Sequence, residues 1–81
     1  MRRVMKHERI TVNPDVMFGK PVIKGTRVPV EHILRKLAAG EQYPDVLAAF
    51  PHLVEADIRA ALAFAADTVA LEEVVVNNDP V

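Results

Sequence analysis

The segment GKPVIKGTRVPV (residues 19–30) constrains the fold of this chain more than any other stretch. It holds two of the chain's three glycines and two of its six prolines. Gly25 can supply the positive φ that a two-residue hairpin turn needs, so residues 22–23 are predicted to pair with residues 26–28. The flanking prolines limit the length of both strands, because proline cannot donate a backbone hydrogen bond. The segment therefore predicts a short β-hairpin.

One strand is predicted before this hairpin and three helices after it. Residues 8–12 alternate and are rich in β-branched side chains, which favours a strand. Apolar residues at helical spacing predict helices over residues 29–40, over residues 44–51 and from residue 55 onward. The predicted fold class is mainly α with a small N-terminal β-hairpin, and the second and third helices form a helix-turn-helix. The expected single domain, residues 1–81, divides into a strand and hairpin (8–28), a three-helix core (29–70) and a tail (71–81).

The small size of the chain predicts self-association. A chain of 81 residues buries only about 60% of its unfolded surface, and without cysteine no disulfide can add stability. The third predicted helix contains AALAFAA (60–66), which is apolar nearly all round and typical of a helix covered on more than one side. Ala60, Ala63 and Phe64 are the candidate contacts of a homodimer or higher oligomer. The alternative is that alanine is simply a good helix former at exposed positions.

Several functional classes are excluded by composition and spacing. The longest apolar run, seven residues, is far shorter than the roughly 20 needed to span a bilayer, so a cytoplasmic protein is expected. His7, His32 and His52 lack metal-ligand spacing, and no metal or cofactor is expected. The chain has no serine or cysteine nucleophile, and Gly19 is not part of a phosphate-binding loop, because proline follows the Gly-Lys pair. We therefore expect no enzymatic activity.

Charge divides the chain into two unlike halves. Residues 1–36 carry nine Lys and Arg against three acids, whereas residues 37–81 carry one Arg against eight acids. This asymmetry favours two different partners, or a head-to-tail match with another copy. The alternative is that the opposite charges fold against each other and cancel.

Nucleic-acid binding is therefore expected from the basic half and not from the third helix. A recognition helix presents polar and basic side chains to base edges, whereas this one begins Glu55-Ala56-Asp57 and offers only Arg59. The structural alternatives are an ion pair of Arg27 with Asp15 or Glu31, and simple solvation of Lys20 and Lys24. The candidate nucleic-acid-binding residues are Lys20, Lys24, Arg27, Arg35 and Lys36.

The chain closely resembles the bacterial domain-of-unknown-function family four-three-three. The resemblance lies in a Gly-Lys-Pro piece (19–21), a Gly-Thr-Arg-x-Pro-Val piece (25–30), a Phe-Pro-x-Leu turn (50–53) and an Asp-Ile-x-x-Ala-Leu helix (57–62). It implies a homeodomain-like, three-helix fold preceded by a β-hairpin. It also implies an antitoxin, since many members look like antitoxins encoded beside PIN-like ribonuclease toxins. One departure is Val54, where members often carry a Ser or Thr helix cap.

The function expected from sequence is the antitoxin of a bacterial type II toxin–antitoxin pair, which neutralises a PIN-like ribonuclease toxin and also binds its own operator DNA. An acidic half suits a partner that binds RNA, and the apolar run VALEEVVV (69–76) can add a strand to a partner sheet. The alternatives are a stand-alone helix-turn-helix regulator and an assembly adaptor. The candidate toxin-binding residues are Leu71, Val74, Val75 and Val76.

Overall fold

A computed structural model describes residues 7–71, and it confirms a mainly helical fold with a two-stranded antiparallel sheet at the N-terminal side. All three predicted helices are present. In chain order the elements are β1 (Ile10–Val12), β2 (Pro21–Ile23), α1 (Val30–Ala38), α2 (Tyr43–Ala49) and α3 (Glu55–Leu71).

The sheet pairs β1 with β2, in the register Ile10 with Ile23 and Val12 with Pro21. The predicted pairing of residues 22–23 with 26–28 forms only in part, since the Ile23 backbone N–H bonds the Val28 carbonyl at 3.0 Å. Residues 26–28 return beside β2 without forming a strand, and only one bridge, between residues 22 and 29, closes the loop. The reason is local, because a proline at position 29 cannot donate the next ladder hydrogen bond.

The connection between the strands contains an unusual left-handed turn, Met17–Gly19. Met17 has φ 50°, Phe18 has φ 59° and Gly19 has φ 79°. Glycine adopts this region readily, whereas each L-residue there costs about 1–2 kcal/mol. The Phe18 side chain at this turn is 96% exposed. The turn therefore holds a large apolar side chain in solvent on a strained backbone.

Local sequence signals end α1 and start α2. α1 stops where Gly40 takes φ 93° and its N–H bonds the carbonyl of Leu37. α2 begins with a reciprocal capping box, in which the Asp45 carboxylate accepts the Gln42 backbone N–H at 2.8 Å. Such caps satisfy backbone groups that a helix leaves unpaired.

The third helix is capped by an interaction that sequence analysis missed. Asp57 lies in its first turn, is only 6% exposed, and accepts the Val54 backbone N–H at 2.9 Å. Its other oxygen accepts a hydrogen bond from the Arg9 guanidinium, also at 2.9 Å. This carboxylate therefore compensates for the missing side-chain cap at position 54 and ties the start of α3 to the segment before β1.

The core lies between the sheet and the three helices. Its two largest contributors from the sheet and α1, Ile23 and Ile33, are 2% and 0% exposed, and Ile58 of α3 is 0% exposed. Within residues 7–71, no helix has the length and apolar character needed to cross a membrane. The buried cluster consists of Ile23, Val30, Ile33, Val46, Leu53, Ile58 and Ala61.

Candidate nucleic-acid interface

The turn after β2 is locked by its own threonine. Gly25 has φ 81°, and the Thr26 backbone N–H bonds the carbonyl of Ile23 at 3.0 Å. The Thr26 hydroxyl donates to the same carbonyl at 2.7 Å and accepts the Val28 N–H at 3.0 Å. Only a β-hydroxyl can close this turn from both sides, which explains the Gly-Thr pair in the sequence. The residue after it, Arg27, is therefore presented from a fixed backbone.

Three of the five predicted nucleic-acid-binding residues form ion pairs with acids of the same chain. Lys20 and Arg35 both reach the carboxylate of Glu31, at 3.2 Å and 3.0 Å. Lys36 lies 3.5 Å from Glu41. The Arg35 guanidinium, followed by the Lys20 ammonium, lowers the pKa of the Glu31 carboxyl by hydrogen bonding and charge. These three cations balance acids on the same surface.

The other two predicted residues, Lys24 and Arg27, stand apart. Both side chains are exposed, and within residues 7–71 neither forms an ion pair or a side-chain hydrogen bond. The alternative pairing of Arg27 with Asp15 or Glu31 does not form. The locked turn therefore concentrates the unpaired positive charge of the described residues at one edge of the molecule.

This turn faces the turn between α2 and α3 across a cavity of about 270 Å³, the two-turn groove. Residues 25–28 line one wall and residues 49–53 line the other, and no acid is among them. His52, exposed on the second wall, joins Arg27 there. Sequence analysis considered His52 only as a metal ligand, because nothing in the linear spacing places it near the Gly-Thr-Arg turn.

The exposed start of α3 is poorly suited to read bases. Glu55 and Arg59, one turn apart, form an ion pair, so the only basic side chain of the helix is held by an acid of the same surface. Asp57 is buried and points back to Arg9. The positive charge near the helix-turn-helix is thus supplied by the two-turn groove.

Three of the five acids between residues 41 and 67, Glu41, Glu55 and Asp57, form ion pairs with basic side chains, in line with the cancelling alternative. Asp45 accepts the Gln42 backbone N–H, which carries no charge. Asp67 lies 2.9 Å from His7, whose ring packs edge-on against Phe64 at 5.2 Å. The remaining acids of that half, Glu72, Glu73 and Asp79, lie outside the described residues. The described part of α3 is therefore not a strongly acidic surface.

The predicted self-association residues do not share one exposed face. Ala63 is exposed and Ala60 is half-buried, whereas Phe64 packs against the core. Of the predicted toxin-binding residues, Leu71 is 71% exposed at the end of α3, and residues 74–76 lie outside the described part of the chain.

A second cavity, of about 290 Å³, runs between α1 and the last turns of α3, and we call it the apolar groove. Its rim carries Lys20 and Glu31, and its walls are otherwise almost wholly apolar. Among residues 7–71, no three His, Asp or Glu side chains come together as a metal site would require. The lining residues are Lys20, Pro21, Val30, Glu31 and Leu34 on one side and Phe64, Ala65, Thr68 and Val69 on the other.

Comparison with known proteins places this architecture in a family. A family model described as "Protein of unknown function (DUF433)" matches residues 10–65, from the first strand to the middle of α3. The chain belongs to the DUF433 family. A crystal structure of a DUF433 member from Anabaena variabilis matches with a TM-score of 0.72 at 27% identity, over 78% of this chain and 62% of that one.

Two further relatives of this DUF433 chain are uncharacterised proteins. One, from Sinorhizobium fredii, is 41% identical over 58 residues, which are 72% of this chain and 26% of that protein. The other, from Archaeoglobus fulgidus, is 61% identical over 28 residues, 35% of this chain and 78% of that protein. The chain thus spans about a quarter of the Sinorhizobium protein.

Proposed function

We propose that this protein is the antitoxin-like component of a toxin–antitoxin pair, which acts by binding and not by catalysis. One surface binds operator DNA, a second binds a PIN-like ribonuclease toxin, and the chain works as a homodimer or larger assembly. The observation that carries the proposal is the pair of unpaired cations, Lys24 and Arg27, on a locked turn beside the helix-turn-helix.

The DNA-binding surface follows from which charges remain available. A cation already paired with a carboxylate gains less from a phosphate, because it must exchange one partner for another. Lys24 and Arg27 carry no such cost within the described residues, and the two-turn groove holds no acid that would repel a phosphate. Contacts of this kind position a protein on the duplex without reading its sequence.

The toxin-binding surface is placed at the C-terminal end of α3. There Leu71 is 71% exposed, so the helix presents an apolar side chain beyond the core as an anchor for a partner. The three acids of residues 72–81 supply negative charge suited to a protein that binds RNA.

DNA binding is tested by fluorescence anisotropy with a matched pair of double variants. Lys24→Ala with Arg27→Ala should weaken binding to all DNA sequences alike. The slope of log binding constant against log salt concentration should fall in magnitude by nearly two units, since each phosphate contact contributes about 0.9. Lys20→Ala with Arg35→Ala removes the same charge from the Glu31 network and should have a smaller effect. Equal losses in both variants, or a larger loss from Arg59→Ala, would contradict the proposed placement.

Toxin binding is tested by rescue of cells that express the neighbouring toxin. A truncation ending at Ala70, checked by circular dichroism for an intact fold, should lose rescue while its DNA affinity stays unchanged. Full rescue by the truncated chain would remove the C-terminal end from the mechanism.

The concentration of unpaired positive charge on the turn after β2 also favours a second candidate function, a stand-alone DNA-binding regulator. The same two assays separate the candidates, because a stand-alone regulator binds DNA but the full-length chain does not rescue cells from the toxin.

A further inference from the structure

The strained turn in the loop between the strands carries a side chain for which residues 7–71 provide no cover. Phe18 is 96% exposed and has φ 59°, and Met17 before it has φ 50°. Residues held in a sparsely populated backbone region cluster where the conformation serves binding or switching. A rigidly presented, solvated phenyl ring matches the aromatic anchors that dominate protein interfaces.

The same chain carries an apolar cavity close to this ring. The apolar groove begins at Lys20 and Pro21, only two and three residues after Phe18. Within residues 7–71, no side chain fills it, although its walls include Leu34 and Phe64. The ring and the start of the groove are therefore close in sequence, and the ring is exposed to solvent.

We propose that two copies of this chain form a two-fold dimer in which Phe18 of each inserts into the apolar groove of the other. The inference rests on the self-association in the proposed function and names its contacts. A two-fold interface pairs the same patch on both copies, and this chain offers both an exposed ring and an open apolar cavity.

Charge at the groove is compatible with such a dimer. Lys20 and Glu31 stand on the rim as one ion pair, so each copy brings both signs to the interface. A two-fold axis near the rim can place the lysine of one copy by the glutamate of the other.

The exposed apolar surface around the ring sets the strength of the dimer. Two phenyl rings bury roughly 300–500 Å² together, whereas specific interfaces bury about 1,200–2,000 Å². Val12, 58% exposed, lies directly across the sheet from Pro21, and Val69, 66% exposed, lines the groove, so both extend the contact. We expect a dimer with a dissociation constant in about the micromolar range.

Analytical ultracentrifugation of the full chain tests this dimer. The parent should dimerise, and Phe18→Ala should raise the dissociation constant at least about a hundredfold, since each dimer loses two anchors. Thr68→Phe, which fills the groove from within, should also weaken it. Leu62→Ala, a matched change on the exposed outer face of α3, should leave it unchanged.

Cross-linking places the ring in the partner's groove. Because the chain has no cysteine, Phe18→Cys and Thr68→Cys proteins can be mixed and treated with a short bis-maleimide. We expect a cross-linked heterodimer, and none from Phe18→Cys mixed with Leu62→Cys. A dimer that Phe18→Ala does not weaken, or equal cross-linking of both mixtures, overturns this inference and leaves self-association standing. A parent that stays monomeric overturns both, whereas DNA binding and toxin rescue are decided by their own assays.

Discussion

Asp57 joins two distant parts of the molecule through one buried carboxylate. One oxygen caps α3 at Val54 and the other accepts from Arg9, which precedes β1. Removing it leaves the Val54 backbone N–H and the half-exposed Arg9 guanidinium without their partner, and hydrogen bonds to charged groups contribute about 1.5–3 kcal/mol each. We expect Asp57→Ala to lower the free energy of unfolding by about 2–4 kcal/mol in urea titration. Asp45→Ala, the matched loss of an exposed cap, should cost about 1 kcal/mol, and equal losses would argue against the tie to Arg9.

A second prediction at the residue scale concerns the pH dependence of the stabilisation by the Glu31 carboxyl. Hydrogen bonds from Arg35 and then Lys20 lower its pKa from the ordinary value of 4.5. Because the folded-state pKa is depressed, the stabilisation is complete above the ordinary value and is lost as pH falls through the folded one. Carbon-detected NMR should show the Glu31 midpoint below 4.5, and Arg35→Gln should raise it. A midpoint that does not respond to this change would show that the ion pair is not formed in solution.

The turn after β2 is the element on which the proposed DNA surface depends. Gly25 has φ 81°, and a Cβ built there meets no atom within 4 Å, so substitution causes backbone strain without a clash. Gly25→Ala should therefore lower the free energy of unfolding by about 1–2 kcal/mol, and Gly25→Asn by less, since asparagine tolerates this region better. Chemical denaturation of both variants checks the order. If alanine proves neutral, the turn does not require its glycine.

At the scale of the whole molecule, β1 links the N-terminal segment to β2 and α3. β1 is the only described strand partner of β2, and α3 contacts β1 directly. A chain that starts at His7 keeps these contacts and should melt cooperatively by circular dichroism. A chain that starts at Asn13 loses β1 and Arg9, and should melt without a cooperative transition. Cooperative melting of both would show that the three helices suffice as a folding unit.

Local signals in the sequence determined the helices and their limits. α1 ends near Gly40 and α2 stops before Pro51 because glycine and proline act on the backbone through their own geometry. The spacing of apolar residues predicted a helix from residue 55 onward, and Ile58 and Ala61 are buried on it. Gly25 was correctly expected in a turn with a positive φ, whereas Thr26, expected in the returning strand, closes that turn instead. Such signals act between residues that are close in sequence, so they can be recognised without knowledge of the tertiary structure.

Only the tertiary structure decided which charges are available and which surfaces are open. The Arg9–Asp57 bond spans 48 positions, and Lys20 meets Glu31 across 11. No periodicity in the sequence encodes such pairs, because an ion pair depends on distance in space. The same holds for the two-turn groove, which joins segments some 25 residues apart. The left-handed conformation of Met17 and Phe18 also escaped the sequence, since neither residue type favours a positive φ.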